Sequence, residues 1–189
     1  MSEPTAATRW LFEQLRFDRV GQKSILFDTP DWEQVVAAAR QERLAALVLD
    51  RATVLPDDTR ARLEELHLQT RVQNAILLMQ LEQWLTRFES ENIPTIVLKG
   101  AALIASVYAR TTLRPMSDVD MLVPRADFER AGRLLQAAGF TPFREVTGDS
   151  AQTIRTQILW LSPKLLGGIE LHWHLVDSGY YANRVPIEW

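Results

Sequence analysis

The chain contains no cysteine and only three histidines. A disulfide framework and a thiolate metal site are therefore excluded, and a zinc site would have to recruit carboxylates. Long apolar runs are missing as well: a membrane helix needs about 18 to 20 consecutive apolar residues, and the longest candidates here are broken by Gln, Glu and Arg. The N-terminal stretch MSEPTAATRW lacks the basic and apolar regions of a signal peptide, so a soluble, cytoplasmic protein without a membrane association is expected. A formal net charge of −3 gives the whole chain no electrostatic reason to bind nucleic acid or anionic lipid non-specifically, although a local basic patch stays possible. What is present is ordinary for a globular protein. Hydrophobic residues make up 47% and charged residues 24% of 189 residues, which suits one domain, or one compact domain with a helical extension.

The first ninety or so positions read as helix. Trp10, Leu11 and Leu15 open a first helical pattern, and a turn follows at Asp28-Thr29-Pro30. Thr29 or Asp31 can then cap a helix in which Trp32, Val35, Val36 and Ala39 recur at helical spacing. The segment 43–54 extends or restarts that helix. After Pro56, a long helix carries the stripe Leu63, Leu66, Thr70, Leu77, Leu81, Leu85 and Phe88. The stripe is read as the seam of an intramolecular helix bundle, with a coiled coil as the alternative.

The pattern changes near Asn92. Residues 93–98 form a short, β-branched apolar run of strand length, followed by Lys99-Gly100 and an alanine-rich helical stretch ending near Tyr108. Asp118-Val119-Asp120-Met121-Leu122-Val123 reads as a second strand. Pro124 then starts a helix carrying Phe128, Ala131, Leu134 and Leu135, with Gly139 as its C-terminal cap. Two further strand-like runs, 153–161 and 168–176, flank the turn residues Ser162-Pro163-Lys164 and Gly167-Gly168 and suggest a hairpin. The expected fold class is α+β: a helical region over 1–91, then a small mixed sheet with helices over 92–189.

Three local features can carry chemistry. Side chains two apart on a strand share a face, with Cα atoms about 6.5 to 7 Å apart, so Asp118 and Asp120 converge. Two such carboxylates repel each other and need open water or a cation; Mg²⁺, which takes one or two carboxylates and completes its shell with water and phosphate, suits them. A solvated strand edge is the plainer explanation of the triplet alone. Upstream, Leu98-Lys99-Gly100-Ala101 brings a strand end, a glycine and a helix N-terminus together, a sensible phosphate cradle to which Lys99 adds charge; the plainer reading is a tight turn with a solvated lysine. Downstream, Ile169-Glu170-Leu171-His172-Trp173-His174 alternates, placing Glu170, His172 and His174 on one face, where a third carboxylate can join the pair. A hydrogen-bonded structural role is expected for one of the histidines. Arg114 is a further candidate contact for an anionic substrate.

Residues 93–100, Arg114-Pro115-Met116-Ser117-Asp118-Val119-Asp120-Met121-Leu122-Val123, the helix ending at Gly139-Phe140, and Glu170-Leu171-His172-Trp173 together resemble a bacterial family of nucleotidyltransferases in the polymerase-beta superfamily. The resemblance runs from about Trp32 to about His174. It implies a nucleotidyltransferase core over 92–189, with Asp118, Asp120 and Glu170 as catalytic and metal-holding residues. Lys99, Gly100, Arg114 and Ser117 would bind nucleotide. It also implies Mg²⁺ or Mn²⁺ as cofactor, and transfer of a nucleoside monophosphate, as from ATP or another nucleoside triphosphate, to an acceptor (tRNA, protein or small molecule) with release of pyrophosphate. The superfamily often has Gly-Ser at the turn where this chain has Lys99-Gly100-Ala101, which passes a serine's phosphate contact to backbone amides or Lys99. Relatives usually continue into further helices after the Glu-Leu-His-Trp strand, so a fragment or a reduced member of the family is expected. A catalytically silent partner protein in a toxin–antitoxin or biosynthetic complex is the alternative function, and a phosphohydrolase a third.

Overall fold

A computed structural model of the chain describes residues 31–52, 54–143, 156–163, 167–176, 184, 185, 187 and 189. The expected first helix around Trp10, the turn at Asp28-Thr29-Pro30 and positions 153–155 of the first hairpin run lie outside these residues. Two compact units are distinguished by their internal packing, Met1–Val72 and Gln73–Trp189.

In the first unit, α1 (Trp32–Gln41) begins where Asp31 accepts hydrogen bonds from the backbone N–H groups of Glu33 and Gln34, as expected of an Asp at this position. Arg43 adopts a left-handed conformation (φ 57°), which breaks the helix. The chain restarts as α2 (Ala45–Arg51). The long helix α3 (Asp57–Ser90) follows, with Asp57 and Asp58 in its first turn, where they complement the helix dipole. Val35, Val36, Ala39, Val48, Leu55 and Leu63 form the apolar core of this unit.

The second unit contains the remainder of α3 and a five-stranded mixed sheet in the order β1-β2-β5-β4-β3. Its elements are β1 (Ile96–Val97), α4 (Lys99–Ser106), a 3₁₀ turn (Thr111–Leu113), β2 (Val119–Leu122), α5 (Arg125–Ala137), β3 (Thr141–Pro142), β4 (Gln157–Leu161) and β5 (Gly168–His172). The first strand is shorter than its apolar run and pairs antiparallel with β2. The hairpin is present as the antiparallel pair β4–β5, and β5 pairs parallel with β2. Gly139 caps α5 at φ 90°, donating to the Gln136 carbonyl while Phe140 N–H reaches back to Leu135.

The stripe on α3 departs from its expected role. Leu63 belongs to the helical core, but Leu77, Leu81, Trp84 and Phe88 join a different buried cluster with Phe128, Ala131 and Leu135 of α5 and with Met121, Ile169 and Leu171 of the sheet. The second half of the stripe therefore covers a sheet instead of completing a bundle seam. Because strand side chains alternate, burial of Val119 and Met121 against these helices turns Asp120 to the opposite face, and burial of Ile169 and Leu171 does the same for Glu170 and His172.

Gly168, at the start of β5, has no room for a side chain: an added Cβ would fall onto the Trp160 carbonyl oxygen and come within 3.1 Å of Leu159 Cδ1. Since the obstruction is backbone, Gly168→Ala is expected to lower stability by about 1 to 3 kcal/mol, measured by denaturant unfolding.

Candidate active site

The parallel pairing of β2 with β5 sets Asp120 directly beside Glu170, with Leu122 beside His172 two residues further along. Two carboxylates are thus forced to be neighbours on the face opposite α3 and α5. Asp120 is only 4% exposed and His172 only 2%. One ligand atom from each of Asp120, Glu170 and His172 lies within 4.8 Å of the others, the spacing of donors around a single ion.

His172 Nε2 stands 3.1 Å from Asp120 Oδ1 and 3.3 Å from Glu170 Oε2. A ring N–H at this position ties the carboxylates together and fixes their rotamers. Lys99 supplies the opposing charge, with its Nζ 2.6 Å from Asp120 Oδ1 and 2.9 Å from Glu170 Oε2. Burial raises the cost of ionising Asp120, yet hydrogen bonds from His172 and Lys99 outweigh it and hold the carboxyl well below the usual range. For Lys99, burial works to lower the pKa, but the hydrogen bonds to Asp120 and Glu170 win and push it up to about 12. Each is therefore charged at neutral pH.

Lys99 occupies its position through an uncommon backbone. It has φ 46° in the left-handed region, at the junction of β1 and α4, where a residue bearing a Cβ is strained and where such strain recurs at functional sites. Gly100, expected to form part of a phosphate cradle, also makes room for a neighbouring side chain. An added Cβ there would lie 3.1 Å from Met116 Cγ, so glycine allows Met116 to pack against the start of α4. Leu98 provides no side-chain cap for this helix.

Asp118 lies just before β2 and is partly buried; it accepts a hydrogen bond from Ser117 Oγ at 3.1 Å. It stands outside the compact group of Asp120, Glu170 and His172. Arg114 is exposed on the preceding loop, as is Ser117. His174 takes the structural role expected of one histidine: Val176 N–H donates to its Nδ1 at 3.1 Å, and its Nε2 lies 2.8 Å from the Val185 carbonyl. Both ring nitrogens are thereby engaged, which separates His174 from the carboxylates.

One residue of this neighbourhood escaped the sequence reading. Asn74 of α3 is buried and hydrogen-bonds the backbone of the loop leading to Asp118. The available signal was a carboxamide between Thr70 and Leu77 of the apolar stripe, at helical spacing from both.

The donor set fits a divalent cation on two observations. Its carboxylate oxygens are hard ligands that suit Mg²⁺ or Mn²⁺, and the protein's own ammonium group lies between them. No helix among the described residues is long and apolar enough to cross a membrane. Neither a curated protein nor a solved structure matches the chain. Residues 28–189 do match a protein family described as uncharacterised nucleotidyltransferase. With a match over most of its length and an α+β fold carrying a five-stranded mixed sheet, the chain belongs to this nucleotidyltransferase family.

Proposed function

We propose that the chain is a metal-dependent enzyme that transfers a nucleoside monophosphate from a nucleoside triphosphate to an acceptor hydroxyl, releasing pyrophosphate, with its catalytic core over 92–189. The observation that carries this reading is the convergence of Asp120, Glu170 and His172, with Lys99, on one face of the sheet. Asp118 and Asp120, with Glu170, would hold Mg²⁺ or Mn²⁺, which supplies positive charge to the phosphate oxygens when bound.

Lys99 carries a charge that suits the β- and γ-phosphates once it leaves the carboxylates, and Gly100 keeps the turn small enough for close approach. Arg114 and Ser117 offer further donors to the same anion from the loop before Asp118. The acceptor oxygen attacks the α-phosphorus, the bond from that phosphorus to the β-phosphate bridging oxygen breaks, and pyrophosphate leaves in line. Glu170 receives the acceptor's proton, directly or through water, after Lys99 has moved away from it. Little covalent chemistry is asked of the protein, so its contribution is positioning and charge.

His172 orients the two carboxylates. It is buried against both, and hydrogen bonding to a metal-holding carboxylate tunes and aims it. The intact carboxylate set favours an enzyme over a silent partner protein.

The test uses triphosphates labelled at the α-phosphate, incubated with Mg²⁺ and with tRNA, protein or small-molecule acceptor pools in turn. Label moving to an acceptor with stoichiometric pyrophosphate is expected. Release of inorganic phosphate with no labelled acceptor would instead indicate a phosphohydrolase.

A further inference from the structure

We propose that Asn74 is a positioning residue for the nucleotide site, holding the loop that carries Arg114, Ser117 and Asp118; this role rests on the nucleotidyl-transfer reading above. Asn74 is 1% exposed in the middle of α3. Its Nδ2 donates to the carbonyl oxygens of Thr111 at 2.6 Å and Arg114 at 2.9 Å, and its Oδ1 accepts from Met116 N–H at 3.0 Å. Both amide hydrogens are used. The orientation is set by chemistry, since a flipped amide would turn its oxygen to two carbonyls and its NH₂ to an N–H.

A leucine would continue the apolar stripe at this position, and asparagine is a weaker helix former. What asparagine provides is satisfaction of three backbone groups in residues 111–116, a segment whose only regular structure is one short 3₁₀ turn. Those bonds cross 37 to 42 positions of sequence, so they fix tertiary placement and not local conformation. From Met116 the constraint passes on: its side chain packs against Gly100, the neighbour of the left-handed Lys99. The loop is also approached from the turn between β4 and β5. A Cβ on Gly167, at φ 98°, would come within 2.9 Å of the Ser117 carbonyl oxygen.

Asn74 thus sets the position of one wall of the site while touching no reacting atom. Since a displacement of about 1 Å can cost a catalytic site about 10²-fold, a free loop should be felt in nucleotide affinity and turnover. Asp120 and Glu170 are placed by the β2–β5 ladder, so they do not depend on it.

The experiment compares the full chain with Asn74→Ala and Asn74→Asp. The second variant keeps side-chain volume and the acceptor for Met116 N–H, but sets carboxylate oxygen against two carbonyls. Hydrogen exchange over residues 111–118 and over β5, and calorimetric affinity for each of the four Mg²⁺-bound nucleoside triphosphates, are measured for all three proteins. In both variants, exchange protection of the loop should fall while β5 stays protected, and nucleotide affinity should drop on the order of tenfold or more. Wild-type affinity in a variant whose loop protection is lost would reduce Asn74 to a merely structural residue and overturn the proposal. Unchanged loop protection in both variants would overturn it equally. A wild-type chain that binds no nucleotide would defeat the nucleotidyl-transfer reading itself and this role with it, an outcome the wild-type titration identifies separately.

Discussion

Asp120→Asn is expected to reduce nucleotidyl transfer by on the order of 10³-fold or more, and to remove metal-dependent nucleotide binding, while circular dichroism and thermal unfolding stay close to wild type. The substitution keeps the side chain's shape and leaves an oxygen to accept from His172 Nε2, now 3.1 Å away. What it removes is a negative charge that a divalent cation needs. The cost to folding is small, because Lys99 is about half exposed and keeps Glu170 as a partner at 2.9 Å. Asp118→Asn is expected to abolish transfer as well, in keeping with its proposed place in the ligand set. Retained activity in that variant, beside an inactive Asp120→Asn, would assign the ion to Asp120, Glu170 and His172 alone.

Lys99→Met should move two affinities in opposite directions. The Lys99 ammonium lies between Asp120 and Glu170, where the proposed ion would sit. An ion binding alone must displace it. Without the lysine the two carboxylates are left with uncompensated repulsion, so affinity for Mn²⁺ alone should rise by about tenfold. Affinity for Mg²⁺-bound triphosphate should fall about 10- to 100-fold, because a charge-assisted hydrogen bond to phosphate contributes about 1.5 to 3 kcal/mol and every 1.4 kcal/mol is a factor of ten. Calorimetric titration of Mn²⁺ alone, then of each Mg²⁺-bound triphosphate, checks both signs. A variant with unchanged Mn²⁺ affinity would show that the lysine does not compete for the carboxylates; unchanged triphosphate affinity would remove it from the phosphate site.

Local signals explain why parts of this arrangement are readable from sequence. The period-two alternation of Glu170 and His172 against Ile169 and Leu171 predicts the face on which the carboxylate and imidazole meet. The turn residues between 161 and 168 predict the hairpin, now seen as β4–β5. The cap at Asp31 and the glycine at 139 follow from rules that need only neighbouring residues.

Other features depend on partners remote in sequence. An apolar stripe on a helix states that something covers it and not whether that is a helix or a sheet, so from sequence alone Leu77 to Phe88 read equally well as a bundle seam. No rule that uses only neighbouring residues predicts that the positive φ of this turn falls on Lys99, or that Gly100 also packs against Met116. Nor does a sequence state that the Lys99 side chain will bridge two carboxylates, one of them 71 positions away. Asn74 is the clearest case, since its three partners lie in a loop with no pattern of its own.

The proposed function requires that Asp118, Asp120 and Glu170 hold a divalent ion beside a nucleoside triphosphate. Titrating Mg²⁺ and each of the four triphosphates into the chain by calorimetry, with Asp118→Ala/Asp120→Ala as the control, tests it directly. The predicted result is triphosphate binding that requires the metal and disappears in the double variant. Metal-independent binding, equal binding by the double variant, or no binding of any triphosphate by the wild-type chain would contradict it.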